Sequence, residues 1–320
     1  MINVKEMKII SKLTVLLLAL ALFLSACAPA APAASPTPAA ITVPDGMGGE
    51  LSLAQPAQRV ISLAPSNTEI LFAVGAGKQV VGREDFSNYP AEALDLPSVG
   101  GSMAEYNYEQ MVNLKPDLVL ASPLTPPEAI QSMQDLKLVV LVLPNPTKLA
   151  GMYANLELVG KVTGHEQETA QLVAGLKERE EKILAVVAKA TELPKVFYEL
   201  DATEPAKPWT SGPGTFVDLL ITLAGGQNVG AALQGEWAQI SQEELIVQNP
   251  DVILLGDALY GGITAEMVAQ RPGWDVIQAV KDGRVHAVND DQISRPGPRQ
   301  LDGLTELVKL LHPDLASELP

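Results

Sequence analysis

A duplicated segment is the feature of this sequence that most constrains its fold. Glu109–Leu120 reads EQMVNLKPDLVL, and 134 residues later Glu243–Leu254 reads EELIVQNPDVIL. The spacing from the first glutamate to Pro-Asp is the same in both copies. Because each copy runs from a polar helical pattern into an apolar strand pattern, the duplication predicts two similar lobes. Each lobe is expected to present one glutamate at the same place.

Short apolar runs alternate with helical patterns on both sides of residue 165, which is typical of layered α/β lobes with parallel sheets. The predicted strands are 59–63, 80–81, 118–120, 138–143, 195–200, 252–255 and 284–288. The predicted helices include 107–114, 127–135, 148–162, 214–224, 241–248 and 301–311. We place the N-terminal lobe at 46–164, a backbone helix at 165–193 and the C-terminal lobe at 194–320.

The helical pattern of residues 166–193 is unusually long. Apolar side chains share one stripe, whereas charged residues fall mostly on the other face. Some 25 helical residues reach roughly 37 Å, which is enough to cross from one lobe to the other. The alternative is a long surface helix within a single domain.

The N-terminus has the pattern of an export signal. Three lysines precede the apolar run 13–24, which ends in Leu-Ser-Ala-Cys27. This ending resembles a bacterial lipobox, and we therefore predict that residues 1–27 are a lipoprotein signal and that Cys27 carries lipid. The alternative is an ordinary signal peptide that happens to contain a cysteine. The Ala/Pro-rich sequence that follows predicts an extended tether over residues 28–45.

The overall composition excludes some classes of function. A formal net charge of −16 disfavours binding to nucleic acid and broad attachment to anionic lipid. Because Cys27 is the only cysteine, the exported domain has no disulfide bonds. We expect an extracytoplasmic protein that is held at the cell membrane by its lipid.

The start of each duplicated helix contains a capping pattern. Asn107 and Ser241 are suitable N-cap residues, and Gln110 and Glu244 stand three positions later, as in a capping box. This arrangement leaves Glu109 and Glu243 free to point outward. The alternative is that both carboxylates only complement the helix dipole. A third capping box is predicted at Ser66 and Glu69.

Several segments, in this order, resemble the substrate-binding lipoproteins of ABC importers for vitamin B12, ferric siderophores and haem. They are RVISLAPSNTE (59–69), SNYP (87–90), LKPD (114–117), WTSG (209–212), AGGQN (224–228) and SRPGPR (294–299). The resemblance implies two lobes joined by a long helix, with the ligand in the cleft between them. It also implies that Glu109 and Glu243 dock onto arginines of a permease dimer, whose ATPase is a separate subunit.

The resemblance also implies which residues contact the ligand. Aromatic side chains at the expected cleft loops are typical of sites for large chelates, and Asp291 matches a ligand-contacting aspartate. Met103 stands where the vitamin B12-binding member has tryptophan, as does Gln292. Arg295 is expected either to meet a ligand carboxylate or phosphate or to tie its loop to the backbone, and Arg83 is a weaker candidate for the first role. The predicted ligand-binding residues are Phe86, Met103, Tyr106, Trp209, Trp237, Asp291 and Arg295.

We therefore expect capture of a corrinoid, a ferric siderophore or haem, without chemistry and without a resident cofactor. A clamp for bare Zn²⁺ or Mn²⁺ is an alternative, but His165, His286 and His312 lack the spacing of metal ligands. A secreted enzyme on a two-lobed fold is a second alternative. The sequence contains no nucleophile elbow and no Cys–His pair for such an enzyme.

Overall fold

Two parallel sheets, one in each lobe, form the framework of the protein. The computed structural model describes residues 40–101 and 105–320. The predicted lipidation site Cys27 and the predicted ligand contact Met103 lie outside the described residues. Residues 40–320 belong to one compact unit. The predicted class, two α/β lobes with parallel sheets, is confirmed.

The N-terminal lobe is built on a four-stranded parallel sheet with the order β4-β3-β5-β6. Its central strands are buried on both faces, which explains their continuous apolar sequences. A separate antiparallel hairpin, β1–β2, precedes the sheet. The strands are β1 (Ile41–Pro44), β2 (Glu50–Leu53), β3 (Val60–Ser62), β4 (Val80–Arg83), β5 (Leu118–Ala121) and β6 (Val140–Val142).

The sheet of the C-terminal lobe repeats this topology. Its order is β9-β7-β11-β12, which matches β4-β3-β5-β6 strand for strand, and all its pairs are parallel. A second antiparallel strand pair, β8 with β10, lies outside the sheet. The strands are β7 (Lys195–Glu199), β8 (Trp209–Ser211), β9 (Gln227–Asn228), β10 (Trp237–Gln239), β11 (Val252–Leu255) and β12 (Val285–Ala287).

Helices cover the sheets and connect the lobes. Those of the first lobe are α1 (Pro65–Ala73), α2 (Tyr108–Asn113), α3 (Pro127–Asp135) and α4 (Leu149–Thr163), followed by the connecting helix α5 (Glu166–Val187). Those of the second lobe are α6 (Phe216–Leu223), α7 (Gln242–Gln248), α8 (Ala258–Gly261), α9 (Ala265–Ala269), α10 (Gln278–Lys281), α11 (Asp290–Ser294) and α12 (Gln300–Leu311).

Helix α5 has 22 residues and is about 33 Å long. The prediction that it continues to residue 193 is wrong, because the helix ends at Val187 and the chain turns before Pro194. Its buried residues Val173 and Ile183 belong to one continuous hydrophobic core that includes strands of both lobes. The helix is therefore part of the shared core, and not only a surface connection.

The tether predicted for residues 28–45 ends too late. Residues 41–44 pair with residues 50–53 as the β1–β2 hairpin, and the Lys161 ammonium donates to the Thr42 carbonyl of this hairpin. The alternation of Ile41 and Val43 with polar residues is a strand signal that the Ala/Pro composition of the preceding residues concealed. Among the residues described, no helix combines the length and the apolar character needed to cross a membrane.

The duplicated segment has the same backbone course in both lobes. Lys115 and Asn249, one residue before each Pro-Asp, both adopt left-handed backbone angles, with φ of 48° and 47°. The following aspartate then accepts hydrogen bonds from backbone N–H groups at the start of the neighbouring strand. Asp117 binds the N–H of Arg59 at 2.9 Å, and Asp251 binds the N–H of Lys195 at 2.8 Å.

A basic side chain completes this junction in each lobe. Arg59 donates to the Leu114 carbonyl at the end of α2, and Lys195 donates to the Gln248 carbonyl at the end of α7. Cations at these positions satisfy carbonyls that the helix itself leaves without a partner. The end of each duplicated helix is thereby fixed at the edge of the sheet where the parallel strands begin.

Candidate functional site

A cavity of about 500 Å³ lies between the lobes, where the parallel strands end. The segments that follow β3 and β5 contribute Ser66 and Leu124 to its wall. The segments that follow β11 and β12 contribute Tyr260 and Asp291 from the other lobe. In open α/β sheets, ligands bind at the carboxyl ends of the strands. The cavity therefore occupies the place where this architecture usually forms a binding site.

Aromatic side chains give the cavity its apolar character. Phe86 comes from the N-terminal lobe, and Phe216, Trp237 and Tyr260 come from the C-terminal lobe. Phe86 is 45% exposed, Trp237 37% and Tyr260 59%, which is unusual for large apolar rings in the absence of a partner. Phe216 supports Trp237 in an edge-to-face contact with 6.0 Å between ring centroids. Such walls suit a ligand with a flat apolar surface.

A buried ionic cluster joins the lobes at the side of this cavity. Glu69 in α1 is 3% exposed and accepts hydrogen bonds from two arginines of the other lobe. Arg295 donates to it at 3.2 Å, and Arg299 donates through Nε at 2.8 Å and through Nη2 at 2.5 Å. The Arg299 guanidinium also lies 3.9 Å from the centroid of the Tyr89 ring. We call Glu69, Arg295 and Arg299 the interlobe cluster.

The predicted capping box at Ser66 and Glu69 is wrong. Helix α1 begins at Pro65 with Ala64 as its N-cap, so Ser66 already lies inside the helix. Glu69 does not turn back to the helix start, because its carboxylate binds Arg295 and Arg299. A tertiary contact therefore replaces the local interaction that the sequence pattern favours.

Arg295 has several acceptors in addition to Glu69. Its guanidinium donates to Asn88 Oδ1 at 2.7 Å and forms an ion pair with Asp291 at 2.7 Å. Tyr260 also donates to Asp291 at 2.8 Å. Arg295 lines the cavity, but protein acceptors from both lobes already surround it. It therefore does more than tie its own loop to the backbone.

The structure places four of the seven predicted ligand residues in the cavity wall. Phe86, Trp237, Asp291 and Arg295 are among the lining residues. Tyr106 instead packs beside Gly101 and interacts with the buried Thr125. Trp209 lies on β8, with its backbone bonded to Asp201. Gln292 and Arg83 are also outside the wall, and the Arg83 guanidinium binds the carbonyls of Glu84, Asp85 and Ala93.

The remaining wall residues are not predicted from the sequence. They include Leu124, Phe216, Tyr260 and Asp290. Leu124 and Tyr260 each stand a few residues after the strand of one duplicated segment. Since ligands bind where parallel strands end, the duplication itself was a usable signal for these two positions.

The duplicated helices have the predicted N-caps. Asn107 accepts from the N–H of Gln110 at 2.9 Å, and Ser241 accepts from the N–H of Glu244 at 3.1 Å. The full capping box in the first lobe is wrong, because the Asn107 N–H donates to the Val99 carbonyl and not to Gln110. In the second lobe Glu244 accepts from the Gln248 side chain.

Both predicted docking glutamates are exposed. Glu109 and Glu243 each occupy the second position of a short helix, in α2 and α7 respectively. An exposed valine follows on the same helix in each lobe: Val112 is 43% exposed and Val247 is 74% exposed. The two lobes therefore present similar surface patches, in which an exposed valine follows an exposed glutamate on the same helix.

The three histidines lie in separate parts of the protein. His165 bonds the Thr163 carbonyl, His312 bonds the Ala224 carbonyl, and His286 lies in β12. Among residues 40–101 and 105–320, no group of three or more His, Cys, Asp and Glu side chains is placed to hold a metal ion.

Residues 60–291 match the family described as periplasmic binding protein. The chain belongs to this family. It is also 33% identical to an uncharacterized ABC transporter substrate-binding lipoprotein of Bacillus subtilis, over 87% of each chain. The resemblance to substrate-binding proteins of ABC importers is confirmed, and the enzyme alternative is rejected because the family and this relative are binding proteins.

Solved structures agree with this assignment. The periplasmic vitamin B12-binding protein of Vibrio cholerae is 28% identical, with a TM-score of 0.70 over 82% of this chain and 98% of that one. A periplasmic haem-binding protein from Roseiflexus sp. RS-1 is 27% identical, with a TM-score of 0.73 over 81% of this chain and 99% of that one. This periplasmic binding protein therefore shares its fold with binders of two different tetrapyrrole-like ligands.

The interlobe cluster gives a stability prediction. Glu69→Gln should lower the free energy of unfolding by about 3–5 kcal/mol, because it removes the carboxylate that pairs with Arg299 and leaves Arg295 with Asp291 alone. Urea unfolding followed by circular dichroism measures this loss. Asp302→Asn is the matched control, since it removes an ion pair with Arg179 that is partly exposed. The control should cost at most about 1 kcal/mol. Equal losses in the two variants would contradict the importance assigned to the cluster.

Asp257, at the start of α8, gives a pH prediction. Burial, followed by the charge of Glu199, raises its pKa from 3.8 to about 7. Its Oδ1 is buried and receives no hydrogen bond. Because the folded-state pKa is raised, the folded protein binds the proton more tightly, and stability should fall as the pH rises from about 4 to about 7.

Replacing Asp257 should remove this pH dependence. Asp257→Asn is expected to unfold like the parent protein near pH 4 and to be more stable at pH 8 by on the order of 1 kcal/mol. Thermal unfolding from pH 4 to pH 8 provides the measurement, with the exposed Asp314→Asn as control. A constant difference between parent and variant across this range would rule out the raised pKa.

Proposed function

We propose that this periplasmic binding protein captures a metal-chelate ligand, a corrinoid in the first place, and delivers it to the permease of an ABC importer. The observation that carries the proposal is the aromatic cavity formed by both lobes at the ends of their strands. Its volume of about 500 Å³ lies within the range of roughly 300–1,000 Å³ that small-molecule sites occupy. The similarity to a vitamin B12-binding protein supports the choice of corrinoid. A ferric siderophore and haem are the other candidates.

The sequence around Cys27 supports an anchoring role for the N-terminus. Lipid on Cys27 would hold the protein at the outer face of the membrane, and the Ala/Pro-rich residues after it would serve as a tether. The protein would then sample ligand and permease within a small volume.

Docking through both lobes follows from the exposed glutamates. Glu109 and Glu243 are available to meet guanidinium groups of the permease, which bind carboxylates with a defined fork geometry. Val112 and Val247 add an apolar contact beside each charge. Two separated contacts fix the orientation of the docked protein, which one contact alone does not do.

The capture proposal predicts that Trp237 contributes more to binding than Trp209. Purified protein is titrated with cyanocobalamin, haemin and a ferric hydroxamate, with calorimetry and absorbance as readouts. Trp237→Ala should weaken binding of the corrinoid at least tenfold, because Trp237 lines the cavity. Trp209→Ala is the matched control from the strand that pairs with that of Trp237, and it should change the affinity less than threefold. If none of the three compounds binds saturably, the proposed ligand class is wrong.

The docking proposal predicts a separation of binding from uptake. Reversing both charges, with Glu109→Arg and Glu243→Arg, should leave the ligand affinity within about twofold of the parent because neither residue lines the cavity. Uptake of labelled ligand by cells or by vesicles containing the transporter should fall to background. Each single reversal should have an intermediate effect. Normal uptake by the double variant would refute docking through these residues.

A further inference from the structure

The single cation in the described cavity wall, Arg295, is already paired with carboxylates of the protein. The charged lining residues are Asp290, Asp291 and Arg295. Arg295 is paired with Asp291 and with Glu69, and only 9% of its side chain is exposed. Asp290 accepts from Tyr198 and, at 2.9 Å, from Ser294, and burial raises its pKa. Within the described part of the chain, the wall therefore has no cation in excess.

Arg83 and Arg299 also bind acceptors within the protein. Arg83 binds three backbone carbonyls, and Arg299 binds Glu69 and lies over Tyr89. Among the residues that the structure describes, no lysine lines the cavity. A carboxylate that enters this site leaves water and meets no unpaired guanidinium or ammonium group of residues 40–101 and 105–320. Burial of a ligand carboxylate without a cationic partner is unfavourable in free energy.

The wall does contain several acceptor groups. The lining includes four residues whose side chains carry acceptor oxygens: Ser66, Ser122, Asp290 and Asp291. These groups suit a ligand that donates hydrogen bonds from its edge. The net charge of −16 adds a long-range field that disfavours anions near the cleft.

We infer that the cavity accepts a neutral or cationic chelate whose edge carries amide N–H donors and discriminates against chelates with free carboxylates. This inference rests on the proposed function and narrows it. Corrinoids carry primary amides around their ring, whereas haem carries two propionates. The aromatic wall alone suits both rings, so the charge balance is what separates them.

The test compares ligands that differ only in charge. Cyanocobalamin and its monocarboxylate isomers, in each of which one peripheral amide is hydrolysed to a carboxylate, are titrated into the full chain in detergent. Haemin is titrated in parallel, and detergent blanks are subtracted. We expect at least one monocarboxylate to bind tenfold more weakly than cyanocobalamin and haemin to bind at least tenfold more weakly. Binding of haemin and of all monocarboxylates within twofold of cyanocobalamin would overturn the inference.

A variant that adds a cation tests the cause directly. Leu124 lines the cavity and is 84% exposed, so Leu124→Lys places an ammonium group at the cavity wall without disturbing the core. Leu124→Lys should raise the affinity for the monocarboxylate that binds the parent protein weakly. The ratio of this affinity to the affinity for cyanocobalamin should increase at least threefold. Leu94→Lys is the matched control, because Leu94 is 55% exposed and does not line the cavity. Equal effects of the two lysines, or no gain with Leu124→Lys, would contradict the charge argument.

A second variant removes a carboxylate of the protein that pairs with Arg295. Asp291→Asn removes one of the two carboxylates paired with Arg295. The ratio between the affinities for cyanocobalamin and for its monocarboxylate should fall at least threefold. An unchanged difference in a variant with a normal thermal transition counts against the inference. Failure of every compound to bind the parent protein would instead overturn the proposed function, and the two failures are therefore distinguishable.

Discussion

The contact on which the interlobe geometry depends is the buried cluster of Glu69 with Arg295 and Arg299. Helix α5 and the hydrophobic core that it shares with both lobes hold the lobes together, but apolar packing is not directional and sets no single angle between them. The cluster adds a second, directional contact between α1 of one lobe and the loop before α12 of the other. Buried ion pairs contribute little net stability compared with apolar packing, but they tolerate only one arrangement of their partners. The cluster therefore specifies the angle between the lobes more than it stabilises the fold.

The same cluster connects the shape of the ligand site to that angle. Arg295 faces the cavity and also binds Glu69, Asn88 and Asp291, so a rotation of the lobes breaks contacts in the cavity wall. Closure around a ligand is then expected to be small, because a large hinge movement requires the loss of buried charge pairs. A cleft that changes little on binding would keep Glu109 and Glu243, the glutamates proposed for docking, at a nearly constant separation. In the proposed mechanism, ligand capture and permease recognition then depend on one rigid arrangement of the lobes.

Much of the fold follows from local sequence patterns. The buried strands β5 and β11, the caps at Asn107 and Ser241 and the length of α3 depend on neighbours within a few residues, which is why periodicity and capping rules locate them. Glu69 is different. Its partners lie 226 and 230 residues away, and no local rule distinguishes a capping glutamate from one that crosses a domain interface. The sequence does not reveal where α5 ends, because the helical pattern of its residues continues toward Pro194. It does not reveal the β1–β2 hairpin, because the Ala/Pro-rich composition before residue 41 conceals the short strand pattern.

The candidate site also combines residues that the sequence predicts with contacts that depend on the three-dimensional arrangement. The resemblance to known binding proteins led to Phe86, Trp237 and Asp291, which line the cavity, and to Trp209, which does not. Arg295 was predicted from its place in the loop before the last helix, and it also lines the cavity. The resemblance could not reveal that Arg295 is already neutralised, because that depends on where Glu69 and Asp291 lie in space. Leu124 and Tyr260 carry no motif of their own, and only their place after the duplicated strands marks them.

The duplication also bears on where the glutamates proposed for docking lie. Each duplicated helix ends at the sheet edge where strands begin, since Arg59 and Lys195 at the strand starts bind the helix-end carbonyls. A helix that connects parallel strands runs back against their direction, so the start of each duplicated helix, with Glu109 or Glu243, is expected toward the opposite edge, where the strands end. Because this unit occurs once in each lobe, a permease that bound both carboxylates, as proposed, would meet the mouth of the cleft between them.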